Sequence, residues 1–267
     1  MATNHESGKN GGIYTSSLII DDCEDAWTND NITTAGIDAD SKVGTYSVKL
    51  VIPGALGANI LLAHEAGLTL NLTTYDAVRL WIKSSITAAL NDNQLLLDDT
   101  ADCLSPIESL QLPALTLGVW TQVFMLLADP SLCGSLVSVG VKQIAALGAR
   151  NIFVDDIRAL KEIDGIKSWS LEYSTAALNT TDFGSSGVSA FIPGISEWHG
   201  SFEGYKDGVP LGIGTEVYLV LGETSVGSQC WLGKAIITNA RPSTDHDGIV
   251  SYSYDFQGTG ALEEPST

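Results

Sequence analysis

Apolar residues recur at every second position in a succession of short runs, the periodicity of strands that bury one face. In VGTYSVKLVI, Tyr46, Val48, Leu50 and Ile52 alternate with Ser47 and Lys49, broken only by Val51. In YDAVRLWIKSS, Val78, Leu80 and Ile82 alternate with Arg79, Trp81 and Lys83, which predicts a wet face for the latter three. Further strands are expected in LIIDDCEDAW, NQLLLDD, VWTQVFMLL, ARNIFVDDIRAL, TEVYLVL and WLGKAIIT, and a short helix or turn between Leu132 and Leu147. Three later runs divide most sharply. Trp169, Leu171 and Tyr173 oppose Ser168, Ser170 and Glu172; Trp198 and Phe202 oppose Glu197, His199, Ser201 and Glu203; Val250, Tyr252, Tyr254 and Phe256 oppose Ser251, Ser253, Asp255 and Gln257. Three strands therefore share an aromatic face and an acidic, serine-rich one. The polar segment from Ala176 to Gly194 reads as a loop too long for a tight hairpin. Its apolar anchors are Phe183, Phe191 and Ile192. Helical periodicity is nearly absent, so the fold class is all-β.

Composition narrows the function. The 267 residues are 44% hydrophobic, enough for one large domain or two ordinary ones, with two expected. No apolar run is long enough to cross a bilayer, and the first residues have neither a basic start nor an apolar core, so a soluble protein made in a cytoplasm is expected. A net charge of −19 argues against gripping nucleic acid by counterion release, though not against a surface that nucleic acid passes without sticking. Cys23, Cys103, Cys133 and Cys230 have no CxxC spacing. They read as free buried thiols, with a Cys103 to Cys133 bridge as the alternative. His5, His64, His199 and His246 lie far apart, with no HExxH, GxSxG or phosphate loop, and among 32 acidic residues some carboxylate pair is bound to occur. Catalysis is not expected.

The acidic opening strand with Asp21, Asp22, Glu24 and Trp27, followed by GxYSxKL, VxLWxKS, GxWTQV and IFVDDIRA, resembles the jelly-roll sandwich of carbohydrate-binding modules of the galactose-binding-like group, over residues 17–161. The resemblance implies a structural calcium where the first and last strands meet, with Asp21, Asp22, Glu24, Asp155 and Asp156 placed to supply oxygen ligands. The alternative is that these acids simply face solvent. It also implies glycan binding on exposed rings, for which Trp27 and Trp81 are the candidates. No other cofactor is implied.

GxxSWSLxYS, DFGSSGVSAFIPGISEWHGSFEGYKDG, GKAIIT and DGIVSYSYDFQGTGAL, spaced over about a hundred residues, resemble the tail tube protein of long-tailed bacteriophages. Proteins of that family open with a GKNG-like stretch and a first strand, as Gly8 to Tyr14 do here. The implied organisation is a discontinuous tube domain, residues 1–16 and 162–267, carrying residues 17–161 as an inserted sandwich. A sandwich whose termini are adjacent can be inserted into a surface loop without strain. The family's function implies hexameric rings stacked into a tube in a virion tail, assembled in the host cytoplasm, with other tail proteins as partners and phage DNA passing without specific binding; no membrane is involved. Glu172, Glu197, Glu203 and Asp255 would line a negative lumen. Phe183, Phe191 and Ile192 would contact the next ring or subunit, or alternatively fold back as a lid. The alternative function is a secreted or cell-surface two-module glycan-binding protein.

Overall fold

The structure, a computed structural model, describes residues 12–32, 34–182, 184, 188–206, 210–223, 230–244, 246 and 248–265, with Ser16 and Ser17 as backbone only. The GKNG stretch and Phe183 lie outside the described residues. Among the described residues there are sixteen strands and no α-helix, an all-β fold, and no helix is long and apolar enough to cross a membrane. The chain divides into two compact units: Met1–Glu162 with Gly222–Cys230 and Pro265–Thr267, and Ile163–Leu221 with Trp231–Glu264.

The first unit is a sandwich of two antiparallel sheets. In one, β11 (Arg150–Glu162) is central. Phe153 pairs with Lys49 of β4 (Ser47–Ile52) on one side and with Lys83 of β6 (Ala77–Ser84) on the other. β1 (Ile13–Asp21) continues alongside β11 beyond β4. β3 (Thr34–Asp38) and β9 (Thr121–Leu126) extend the sheet next to β4 and β6. The second sheet has the order β2 (Thr28–Asn29), β5 (Ile60–Leu70), β10 (Leu136–Gln143), β7 (Asn93–Asp98), β8 (Glu108–Gln111). Val48, Leu50, Leu80, Ile82, Ile152 and Val154 of one sheet meet Leu62, Leu95, Leu97, Val139 and Val141 of the other in one continuous core.

Two strands the pattern did not reveal are central ones. In β5, Leu61 to His64 are buried consecutively, and in β10, where a short helix or turn was expected, Val139 to Val141 are. Cover on both faces erases the two-residue alternation that marks a half-wet strand. The one 3-10 turn of that region, Pro130–Leu132, is capped by Asp129, whose side chain accepts from the Ser131 amide. β6 is likewise buried at all eight positions, so its expected wet face does not exist. Tyr46, read as a core residue, precedes β4 and is exposed. All four cysteines are free and buried; Cys103 packs with Leu61 and Leu96, and Cys133 sits in the main core, so the bridge between them is not formed.

The second unit is an antiparallel sheet in the order β12 (Ile166–Asn179), β13 (Phe191–Tyr205), β16 (Ser251–Gly258), β15 (Cys230–Ser243), β14 (Glu216–Gly222). Trp198, Phe202, Tyr254 and Phe256 are buried on one face, with the Phe202 and Tyr254 rings stacked at 5.0 Å. Small residues make room for Trp198. A Cβ on Gly258 or Gly233 would lie 2.2 or 2.4 Å from the indole, whose N–H donates to the Gly260 carbonyl at 2.9 Å. The GSFEG and FQGTG words thus spell one packing arrangement, since Gly200 likewise accommodates the Phe256 ring.

Candidate functional site

Residues directly opposite each other in an antiparallel pair share a face. The register of the second unit places Ser168, Glu203, Ser253 and Arg241 in one row across β12, β13, β16 and β15. Ser170, Ser201, Asp255 and Asn239 form the next row, then Glu172, His199 and Gln257, then Ser174 and Glu197. Glu172, Glu197, Glu203 and Asp255 therefore stand together on the face opposite the aromatic core. At about 4.8 Å between strands they spread over a surface, and at one end of it Glu203, Arg241 and Ser253 line, with Lys167, an open cavity of about 200 Å³.

This face is a charged mosaic. Arg241 donates to both oxygens of Asp255, at 3.1 and 2.5 Å, and Asn239 donates to the same carboxylate at 3.3 Å. Glu172 lies 3.5 Å from His199. Ser170 and Ser201 hydroxyls meet at 3.1 Å. Among the described residues, no ion pair involves Glu197 or Glu203. Arg241 was not legible as part of this surface because it follows a register shift in β15 that breaks its alternation.

The aromatic face is less complete on β12 than the alternation implied. Trp169 and Leu171 are half-buried and Tyr173 is 44% exposed. As the edge strand, β12 has a neighbour on one side only within this unit. The expected loop from Ala176 to Gly194 is strand at both ends: pairing continues to Leu178 with Ile192 and Asn179 with Phe191, so the connection between the two strands is residues 180–190. The hairpin's far end is apolar and unburied, with Phe191 57%, Ile192 50% and Leu178 50% exposed, and Val188 and Ile195 exposed as well. Neither Phe191 nor Ile192 folds back as a lid.

In the first unit, Trp27 and Trp81 are each 3% exposed, which corrects their assignment as open stacking rings. The Trp27 N–H donates to Asp21 at 3.2 Å. Trp81 is covered because the segment between β3 and β4 folds over its sheet, setting the Lys42 ammonium 4.7 Å from the ring. Carboxylates hold that segment down. Asp155 accepts from the Lys42 and Val43 amides at 2.6 and 3.0 Å, and Glu24 from those of Thr45 and Tyr46 at 2.7 and 3.3 Å. Lys83 and the Trp120 N–H both reach Asp40.

The five acids nominated for calcium do not converge. Asp156 is engaged by Arg79 and Arg158, and Asp155 and Glu24 bind backbone amides. The oxygens that lie within 4.8 Å of one another belong to Asp21, Asp22 and Asp25. Within that trio Asp21 accepts from the Cys23 amide at 2.6 Å and the Trp27 N–H at 3.2 Å, and Asp22 from the Glu24 amide at 3.3 Å, while all three are hard oxygen donors of the kind calcium takes. Burial pushes the Asp155 carboxyl up to about 6 against its two amide hydrogen bonds, and its second oxygen is buried without a partner.

No protein-family model matches the chain, and no curated protein matches it. Several solved chains align with part of it, two of them as follows. The first is the tail of an empty gene transfer agent particle, obtained with helical refinement and C6 symmetry, at 16% identity and a TM-score of 0.35; the match covers 40% of this chain and 87% of that one. The second is the virion of a native gene transfer agent particle, at 15% identity and a TM-score of 0.34, covering 40% of this chain and 89% of the other.

Proposed function

We propose that the chain is a structural subunit of a phage-type tail tube, six copies closing into a ring and rings stacking around a channel for DNA. The observation that carries the reading is the register that gathers Glu172, Glu197, Glu203 and Asp255 on one sheet face, behind which the aromatic core packs. Repeated around a ring, such a face repels phosphates and offers them few cations to exchange for their counterions. Arg241 and Asp255 neutralise each other in a bidentate pair, so the net negative charge of this face rests on Glu172, Glu197 and Glu203. The exposed end of the β12–β13 hairpin serves contact between subunits, and residues 17–161 form the insertion on the tail exterior. The glycan-binding alternative loses its support with the burial of Trp27 and Trp81.

Electron microscopy of the purified protein tests the reading: six-membered rings or tubes are expected, and a protein that stays monomeric at all concentrations refutes it. Replacing the four acids by lysine leaves assembly intact and slows genome ejection, more so at low salt. Unchanged ejection kinetics remove the lumen assignment.

A further inference from the structure

Under the segment between β3 and β4, the sheet holds polar atoms that the fold does not pair. β11, β6 and β9 lie side by side there. Their register sets Asp155 opposite Trp81 and Trp81 opposite Gln122, so the three side chains form one row on one face. All three are buried, at 0%, 3% and 2% exposure. Asp155 commits one oxygen to the Lys42 and Val43 amides of the covering segment. Its other oxygen, the Trp81 indole N–H and the Gln122 side-chain carbonyl have no hydrogen-bond partner among the described residues. Buried polar groups of folded proteins are paired, with protein or with ordered water, so a sealed donor directly opposite a sealed acceptor calls for a ligand.

We propose that this row is a hydration site, where a water molecule sealed under residues 39–46 accepts from the Trp81 N–H and donates to the Gln122 carbonyl. The pairing of a donor with an acceptor selects the ligand. A metal ion cannot accept from the N–H, and an anion cannot donate to the carbonyl. The Lys42 ammonium, 4.7 Å from the centre of the indole, likewise has no lone pair for the N–H. A water molecule serves both groups. Its size fits as well, since two hydrogen bonds of about 2.9 Å meeting at a tetrahedral angle span roughly 4.7 Å. Side chains directly opposite each other on neighbouring strands start about 4.5–5.5 Å apart at Cβ. The second Asp155 oxygen, on the other flank of the indole, lies outside this bridge. The water matters to the covering segment: closing it over Trp81 takes both groups out of solvent, which is unfavourable unless each keeps a partner. With the water in place the segment closes without stranding either.

Nuclear magnetic resonance on the full-length protein labelled with nitrogen-15 tests this. The Trp81 indole proton, assigned by its absence from Trp81→Phe, is expected to show a cross-peak at the water frequency, with the rotating-frame sign that marks a bound water rather than proton exchange. Gln122→Met keeps the length of the side chain and removes the acceptor, and is expected to abolish that cross-peak. No water cross-peak in wild type, or one undiminished in Gln122→Met, overturns the site. Should Gln122→Met fail to fold, a high-resolution crystal structure of the wild-type protein decides. A solvent peak within about 3.2 Å of both Trp81 Nε1 and Gln122 Oε1 is expected there. A direct bond between the two side chains, or no peak between them, overturns the proposal.

Discussion

Adding one methyl group at Gly258 tests the packing behind the acidic face. Gly258 does not occupy the left-handed region, so its backbone accepts alanine and only the neighbours object. The new Cβ would lie 2.2 Å from Cε2 and 2.4 Å from Cδ2 and Nε1 of Trp198, against the ~3.5 Å at which carbon atoms rest. The indole must therefore retreat by about 1 Å. It is 3% exposed, tied to the Gly260 carbonyl, and fitted over Gly233, where there is no side chain to yield. Overpacking of this kind costs about 1–3 kcal/mol, and losing the indole hydrogen bond about 1 more. Gly258→Ala is thus expected to destabilise the second unit by about 2–4 kcal/mol, lowering its urea midpoint by roughly 1–2 M. In a Trp198→Leu background the methyl group has room, and the same substitution costs less than about 1 kcal/mol, a non-additivity that only direct contact produces. A wild-type urea midpoint for Gly258→Ala, or equal costs in both backgrounds, refutes the argument.

The raised pKa of Asp155 makes the first unit's stability pH-dependent. The folded state holds the proton to about pH 6, whereas the unfolded chain releases it near 3.8, so the contribution is full below pH 3.8 and is lost as pH rises through 6. Relative to Asp155→Asn, wild type in metal-free buffer loses at most about 3 kcal/mol over that window, and parallel pH profiles for the two proteins count against the assignment. Calcium added to chelator-treated protein raises the melting temperature through the oxygens of Asp21, Asp22 and Asp25, and Asp25→Asn removes the increase. A melting temperature indifferent to calcium means that the trio holds no ion.

Much of the second unit was legible because its strands are wet on one face. Glu172, Glu197, Glu203 and Asp255 alternate with Trp198, Phe202, Tyr254 and Phe256, and a two-residue period is a local property that pairing preserves. The glycines of GSFEG and FQGTG were visible as a pattern, while their reasons, Trp198 against Gly258, the β12 backbone and Phe256 against Gly200, and the Gly165–Ile166 backbone against Gly204, were not. Tyr173 was misread for the opposite cause: its phase is apolar, but the edge strand leaves it partly uncovered.

By itself the sequence determined the all-β class, most of the strands and which side chains share a face, since each follows from the period of the chain. Tertiary structure alone decided what covers each face. The segment over Trp81, the arginines on Asp156, Arg241 against Asp255 and the burial of β5 and β10 on both sides all join residues distant along the chain. Alternation specifies that a side chain faces one way; only the fold specifies what it meets there.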